Sequence, residues 1–278
     1  MIAKPRVAQT LVSCLYDLGK RGQGGRGIDF YLAHAAMVLR LDLPLVLYVD
    51  PELAQWAREA RARNGLGART HVIERPLEDL PVARLLPSIA GFRTFANCDA
   101  AKDTPHHQVV EWSKFDLVEE VIAANPFGTD HFAWIDAAIG HVAAPASEFP
   151  AATTRVSVLQ MCAVAPQETS DRMAFLERER GRIAGGLLRG HRDAFGELIG
   201  AFRRELAATL AQRFRPNEQM ILGYLTVTRP DLFEFYYGDY ASILCNWDAV
   251  RRDVDTVFLN IAHCRRHGLW DAGRAACA

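Results

Sequence analysis

The sequence predicts an α/β fold, a Rossmann-like mixed sheet flanked by helices in a single compact domain. Three observations carry this. Over the first half of the chain, apolar runs of strand length alternate with segments of helical periodicity, the pattern that builds a largely parallel sheet. Half of the 278 residues are hydrophobic, enough to bury a sizeable core. The stretch His131 to Val142, HFAWIDAAIGHV, is an apolar run without period-2 alternation that breaks at Asp136, as expected of a strand buried on both faces. Asp136 then stands at the carboxyl end of that strand. In open α/β sheets this edge is where ligands bind, so Asp136 is either placed for chemistry or caps the next turn.

Taken in order, Val7 to Leu15 is apolar and β-branched and reads as the first strand; Ile28 to Leu41 places Tyr31, Ala35, Val38 and Leu39 at helical spacing. Leu43 to Val49 is a second buried strand ending on Asp50. Pro51 to Asn64 is a helix stopped by Gly65 and Gly67, and Thr70 to Ile73 is a short strand. From Glu74 to His107 proline breaks the pattern and no order is assigned. Val109 to Ala124 is a helix closed by Asn125 and Pro126 that feeds the central strand. Beyond an Ala/Pro-rich connection come an apolar strand at Val156 to Val164 and a charged helix at Ser170 to Arg180. In the RIAGGLLRG run from Arg182 to Gly190, paired glycines signal a bulge or a close approach of backbone to another group. Asp193 opens a helix to about Arg213 with Phe195, Ile199, Phe202 and Leu206 inward, and Asn217 caps another with Glu218 in its first turn. Phe233 to Tyr240 reads as a strand and Val254 to His263 as a final helix.

Composition excludes several classes. Thirty-two basic residues against thirty-three acidic ones give a net charge of -1, and no basic stripe interleaved with aromatics argues for nucleic acid. No apolar stretch reaches the ~20 residues of a membrane span. The N-terminal run lacks a small-residue cleavage site and reads as a strand, not a signal. The six cysteines have no CxxC spacing, which suits reduced thiols in a cytoplasmic protein and argues against disulfides and structural zinc.

One lysine is out of place. On the helix wheel Val110, Leu117, Val118 and Val121 form an apolar arc with Lys114 in its middle and Glu111 near its margin, while Asp116, Glu119 and Glu120 take the opposite face. Lys114 therefore points inward or toward a cleft, unless it snorkels to the surface or pairs with Glu111. As a cleft cation it would contribute little to folding. Gly22, Gly24 and Gly27 fit G-x-G-x-x-G, with Asp50 about where a ribose-binding acid would fall. Six residues separate the strand from Gly22, however, whereas the dinucleotide fingerprint needs its first glycine in the turn leaving the strand. Asp253-Val254-Asp255 is a literal DxD at a helix entry, where acids are common for dipole reasons.

YDLGKR, LPLVLYVD, EWSKFDLVEEVI, WIDAAIGHV, RIAGGLLRG, NEQMIL and FYYGDYASILCNWD, in this order, resemble the bacterial HtrL/YibB (WlaTC-like) family. That family is in turn similar to glycosyltransferases of the GT-A fold. The resemblance implies one GT-A-like domain, with a nucleotide-sugar-binding half at 1–150 and an acceptor-side half at 151–278. It implies transfer of a sugar from a UDP- or GDP-sugar to an acceptor, assisted by Mn²⁺ or Mg²⁺. Residue by residue, Asp136 matches the acid of W-x-D and is the expected metal ligand, Lys114 the helix lysine, Asp17 and Arg21 the first-strand turn, and Glu218 the acid after the glycine-rich strand. Asp17, Arg21, Asp50, Lys114, Gly185 and Gly186 form the expected donor-binding set; Glu218 and Lys114 are the expected catalytic pair, with Glu218 as base on the acceptor. His141, His263 and His267 are candidate extra ligands. Typical GT-A enzymes show D-x-D, whereas here Trp134 stands two residues before Asp136 and Ala138 two residues after it, so one carboxylate is supplied locally. Two other classes stay open: a Rossmann-like NAD(P)-dependent oxidoreductase using the glycine loop, and a non-catalytic nucleotide- or sugar-binding protein.

Overall fold

The computed structural model describes residues 9–22, 26–145, 149, 153–245 and 247. The strands and helices are β1 (Gln9–Leu15), α1 (Ile28–Leu39), β2 (Leu45–Val49), α2 (Ala54–Arg63), β3 (Thr70–Glu74), α3 (Leu86–Ile89), β4 (Arg93–Thr94), α4 (Pro105–Ala124), β5 (His131–Ile135), β6 (Val156–Gln160), α5 (Arg172–Leu176), β7 (Ile183–His191), α6 (Arg192–Leu210), β8 (Phe214–Arg215), α7 (Glu218–Thr228) and β9 (Phe233–Tyr237). Seven strands form one sheet in the order β3-β2-β1-β5-β7-β6-β9, and β4 pairs with β8 in a small second sheet. Within the large sheet β7 alone is antiparallel to its neighbours. This is the Rossmann-like mixed sheet flanked by helices that the sequence predicts.

Both faces of the sheet are covered, which explains why β1, β2 and β5 are apolar throughout instead of alternating. On one face α4, α6 and α7 bury Val109, Trp112, Phe115, Phe202 and Ile221 against Val12, Val46, Phe132 and Leu188. On the other, α1 and α2 bury Ala35, Val38 and Ala57 against Leu11, Leu47 and Ile135. Phe115 stacks on Phe202 with ring centroids 3.7 Å apart, joining α4 to α6. The predicted inward residues of α6, Phe195, Ile199, Phe202 and Leu206, are all buried.

Several boundaries differ from expectation. Helix α4 begins four residues earlier than its apolar period indicates, because Thr104 accepts from the His107 amide as N-cap and Pro105 occupies the first turn. Helix α6 is capped by His191, not by Asp193. The charged helix shortens to Arg172–Leu176, and the strand predicted to reach Val164 stops at Gln160. The face of α4 bearing Asp116 and Glu119 is not simply solvated, since Arg203 of α6 bonds both, at 3.1 Å and 3.0 Å. Cys14, Cys98 and Cys245 are free thiols, but Cys162 is disulfide-bonded, against the expectation that every cysteine is reduced. The helix predicted at Val254 to His263, Asp253 to Asp255, His267 and Gly24 lie outside the described residues. Among the described residues no helix is long and apolar enough to cross a membrane.

Candidate functional site

The glycine pair organises the site. Register between β6 and β7 jumps from Val158↔Leu188 to Leu159↔Ala184, so Gly185, Gly186 and Leu187 form a bulge in β7. Because β7 is antiparallel, this bulge lies at the carboxyl edge of β5, where the Asp136 amide donates to the Gly186 carbonyl at 2.9 Å. A Cβ on Gly185 would overlap Glu218 Oε1, and one on Gly186 would lie 3.3 Å from Asp136 Oδ2. The close approach predicted from the paired glycines is thus made by two carboxylates.

Helix α4 delivers the cation. Lys114 Nζ donates to Glu218 Oε1 at 2.8 Å and to the Gly185 carbonyl at 3.0 Å, and stands 3.7 Å from Asp136 Oδ1. It also lies 5.5 Å from the centre of the Trp134 ring, while the Trp134 indole donates to Asp136 Oδ1 at 2.7 Å. Glu218 sits in the first turn of α7 behind the Asn217 cap, so the helix N-terminus adds to its stabilisation. Lys114 and Glu218 are 2% and 3% exposed, whereas Asp136 is 48% exposed. Burial works against the Lys114 ammonium, yet Asp136, Glu218 and Glu111 outweigh it and raise its pKa. Burial likewise opposes the Glu218 carboxylate, and Lys114 outweighs it, holding the pKa below the ordinary value. Lys114 is therefore a buried ion-pair partner facing a cleft. The expectation that its removal costs little stability is corrected, because that argument holds for exposed cations.

These groups line a cleft of about 560 Å³ at the carboxyl ends of β1 and β5. Its wall includes Tyr16, Leu18 and Tyr31, the cations Arg26 and Lys102, and His107, Glu111, Lys114, Asp136, Glu218 and Tyr240. Four of its polar atoms are buried without a hydrogen-bond partner: the Tyr16 hydroxyl, His107 Nδ1, Glu111 Oε2 and Glu218 Oε2. Such atoms are costly unless a ligand or water completes them. Burial, reinforced by the Glu218 charge, pushes the Glu111 carboxyl well above the ordinary carboxylate range. Burial lowers the pKa of His107, so its imidazole is neutral.

Three residues of the expected donor-binding set lie elsewhere. Arg21 spends all five of its donors on fixed partners: Asp50 twice at 2.8 Å, Glu78 at 2.7 Å and 3.0 Å, and the Asp17 carbonyl at 2.9 Å. Asp50, 3% exposed, also accepts from the Asp17 amide at 2.9 Å. Asp17, Arg21 and Asp50 form a closed clamp between the ends of β1 and β2, and none of them lines the cleft. Gly185 and Gly186 likewise lie beneath the Glu218 and Asp136 side chains and are not on its wall. Sequence reasoning missed Lys102, in the stretch left unassigned, and His107, excluded by starting the helix too late. Yet His107, Glu111 and Lys114 share one helical face at i, i+4 and i+7, and Thr104-Pro105 is a legible helix start.

As for metal, no three His, Cys, Asp or Glu side chains converge on one point among the described residues. Asp136 stands without two further such side chains beside it, and its Oδ1 accepts from the Trp134 indole and lies 3.7 Å from Lys114 Nζ. Of the glycine loop, Gly22 follows a 3-10 turn at Gly19–Arg21 in the left-handed region, φ 66°, and Gly27 is the N-cap of α1. The first glycine is therefore not in the turn leaving β1.

A family model described as "Bacterial protein of unknown function (HtrL_YibB)" matches residues 7–249. No curated protein matches the chain. Among solved structures, mouse xyloside xylosyltransferase 1 in its apo form is similar, with a TM-score of 0.43 and 14% identity over 82% of this chain and 85% of that one. At that distance the likeness carries no inference about what this chain binds.

Proposed function

The chain belongs to the HtrL_YibB family of bacterial proteins, and from that premise we propose that it is a glycosyltransferase using a nucleotide-sugar donor. One observation supports this most. A single cleft is lined by cations, an ionised carboxylate beside a buried ammonium, and residues with unpartnered polar atoms. A diphosphate and a polyhydroxylated ring would together satisfy such a surface. In this reading residues 1–150 hold the donor and 151–278 supply the acceptor side. Lys102 and Arg26 attract the diphosphate, and Lys114 places a fixed positive charge near the oxygens on which negative charge develops as the leaving group departs. Glu218 Oε2 accepts the proton of the acceptor hydroxyl, while its other oxygen is anchored by Lys114. Asp136 would meet an Mn²⁺ or Mg²⁺ ion arriving on the diphosphate, which would add further charge neutralisation there. A dinucleotide site is less well supported, because the Asp50 carboxylate needed for a ribose is taken up by Arg21 and the Asp17 amide.

Calorimetry tests the reading. UDP and GDP are titrated into wild type and Asp136→Asn, with and without Mn²⁺. One of the two nucleotides should bind wild type more tightly with Mn²⁺, and the gain should vanish in Asp136→Asn. An equal effect of metal in both proteins removes Asp136 as a ligand, and failure of both nucleotides to bind removes the donor assignment.

A further inference from the structure

Glu111 has no role in the reaction as described, yet it is one of the least explained groups in the molecule. Its side chain is 13% exposed, it lines the cleft, and Oε2 is buried without a partner. Its neighbour one turn back, His107, approaches the other carboxyl oxygen at 3.4 Å, but His107 Nδ1 makes no hydrogen bond either. The third unpartnered atom, Glu218 Oε2, belongs to a residue of the first turn of α7 that lines the same cleft. Two elements distant in sequence thus bring three unfinished hydrogen-bonding atoms to one wall.

We propose that Glu111, with His107, reads the hydroxyls of the donor sugar beside the Glu218 base, and that Glu111 is a specificity-determining residue for that sugar. The inference rests on the donor reading above and concerns the sugar of the donor, not its diphosphate. The chemistry is complementary. A neutral carboxylic acid both donates and accepts, and a neutral imidazole does either, so neighbouring sugar hydroxyls can each be matched in both senses. An apolar ligand would leave all three atoms without partners at full desolvation cost. A site built to hydrogen-bond hydroxyls rejects a ligand that lacks them far more strongly than an apolar pocket can.

The test compares UDP and GDP with their glucose, galactose and xylose conjugates, binding to wild type, Glu111→Ala and Glu111→Gln at neutral pH. Free monosaccharides are titrated in parallel. Glu111→Gln keeps a neutral donor and acceptor and guards against misreading a folding defect in the alanine variant; melting curves accompany all three proteins. The expected result is that Glu111→Ala binds the preferred sugar conjugate at least tenfold more weakly, with affinity for the nucleotide alone unchanged within twofold. Glu111→Gln should stay within threefold of wild type for both. The proposal is overturned if Glu111→Ala weakens nucleotide and conjugate equally, or leaves the conjugate unaffected. If wild type binds monosaccharides but no nucleotide, the donor reading falls alone, and Glu111→Ala must still lower sugar affinity. If wild type binds neither, both readings fall.

Discussion

At the end of β2, Arg21 meets Asp50 and Glu78 with every donor it has; at the end of β5, Lys114 meets Glu218 and leaves Glu218 Oε2, Glu111 Oε2 and His107 Nδ1 open. Both clusters stand on the same sheet edge, and both looked functional in sequence. The difference is closure. A planar guanidinium that has filled all its hydrogen bonds can hold loops together but has nothing left for a ligand. A compact ammonium beside half-used carboxylates leaves interactions unfinished, and the proposed binding wall is built from these. Saturation therefore separates the two better than position on the sheet does.

The largest effect expected is at Lys114. Lys114→Met leaves Glu218 buried without its cation, so denaturant melts should show a loss of about 3–5 kcal/mol. Pairing it with Glu218→Leu should recover most of that stability without restoring nucleotide-sugar turnover, because the pair's structural cost is removed together with its chemistry. Recovery of turnover in the double variant would move both residues out of the site. Next is Gly185→Ala, whose new methyl overlaps the Glu218 carboxylate. A stability loss of about 1–3 kcal/mol, with turnover abolished, is expected from such overpacking. A structure of that variant with Glu218 undisturbed would contradict the assignment.

Arg21→Ala sharpens the contrast from the other side. It should cost about 1.5–3 kcal/mol through Asp50, which is left buried and short of partners, with nucleotide affinity unchanged within twofold. A tenfold loss of affinity in a variant of normal stability would make the clamp a binding element after all. The smallest effect concerns Glu78, whose carboxyl the Arg21 guanidinium lowers to about 2. A depressed folded-state value means stability that is present above the unfolded value of 4.5 and is lost as pH falls toward 2. Glu78 is 59% exposed, so solvent screening keeps this contribution below about 1 kcal/mol. The slope between those pH values should be shallower in Arg21→Ala.

Much of this was legible in sequence where local pattern and tertiary role agree. Continuous apolar runs located β1, β2 and β5, the misplaced Lys114 on an apolar arc revealed an inward cation, and the paired glycines announced a bulge. The clamp was not legible, because Glu78 lies in the Pro-broken stretch that carries no periodicity and only its meeting with Arg21 reveals that the guanidinium is full. Similarly, β4 and β8 are two residues each and exist through pairing alone. The role of Glu111 escaped because a carboxylate at the edge of an apolar arc looks like a solvated margin until a second acid arrives from α7. The disulfide at Cys162 has no spacing signature, being decided by which residues the fold brings near.

The partners in the Lys114–Glu218 ion pair lie 104 residues apart in the chain. At a synthesis rate of about 5–20 residues per second, Lys114 leaves the ribosome roughly 5–20 s before its carboxylate is made. Strand β7, which supplies the Gly185 carbonyl, is also still to come when β5 is complete. During that interval the nascent βα half has a lysine on the face that will become core, with neither of its acceptors yet in existence. The cleft is therefore among the last parts of the molecule to be completed, and a chain truncated before α7 lacks the pair altogether.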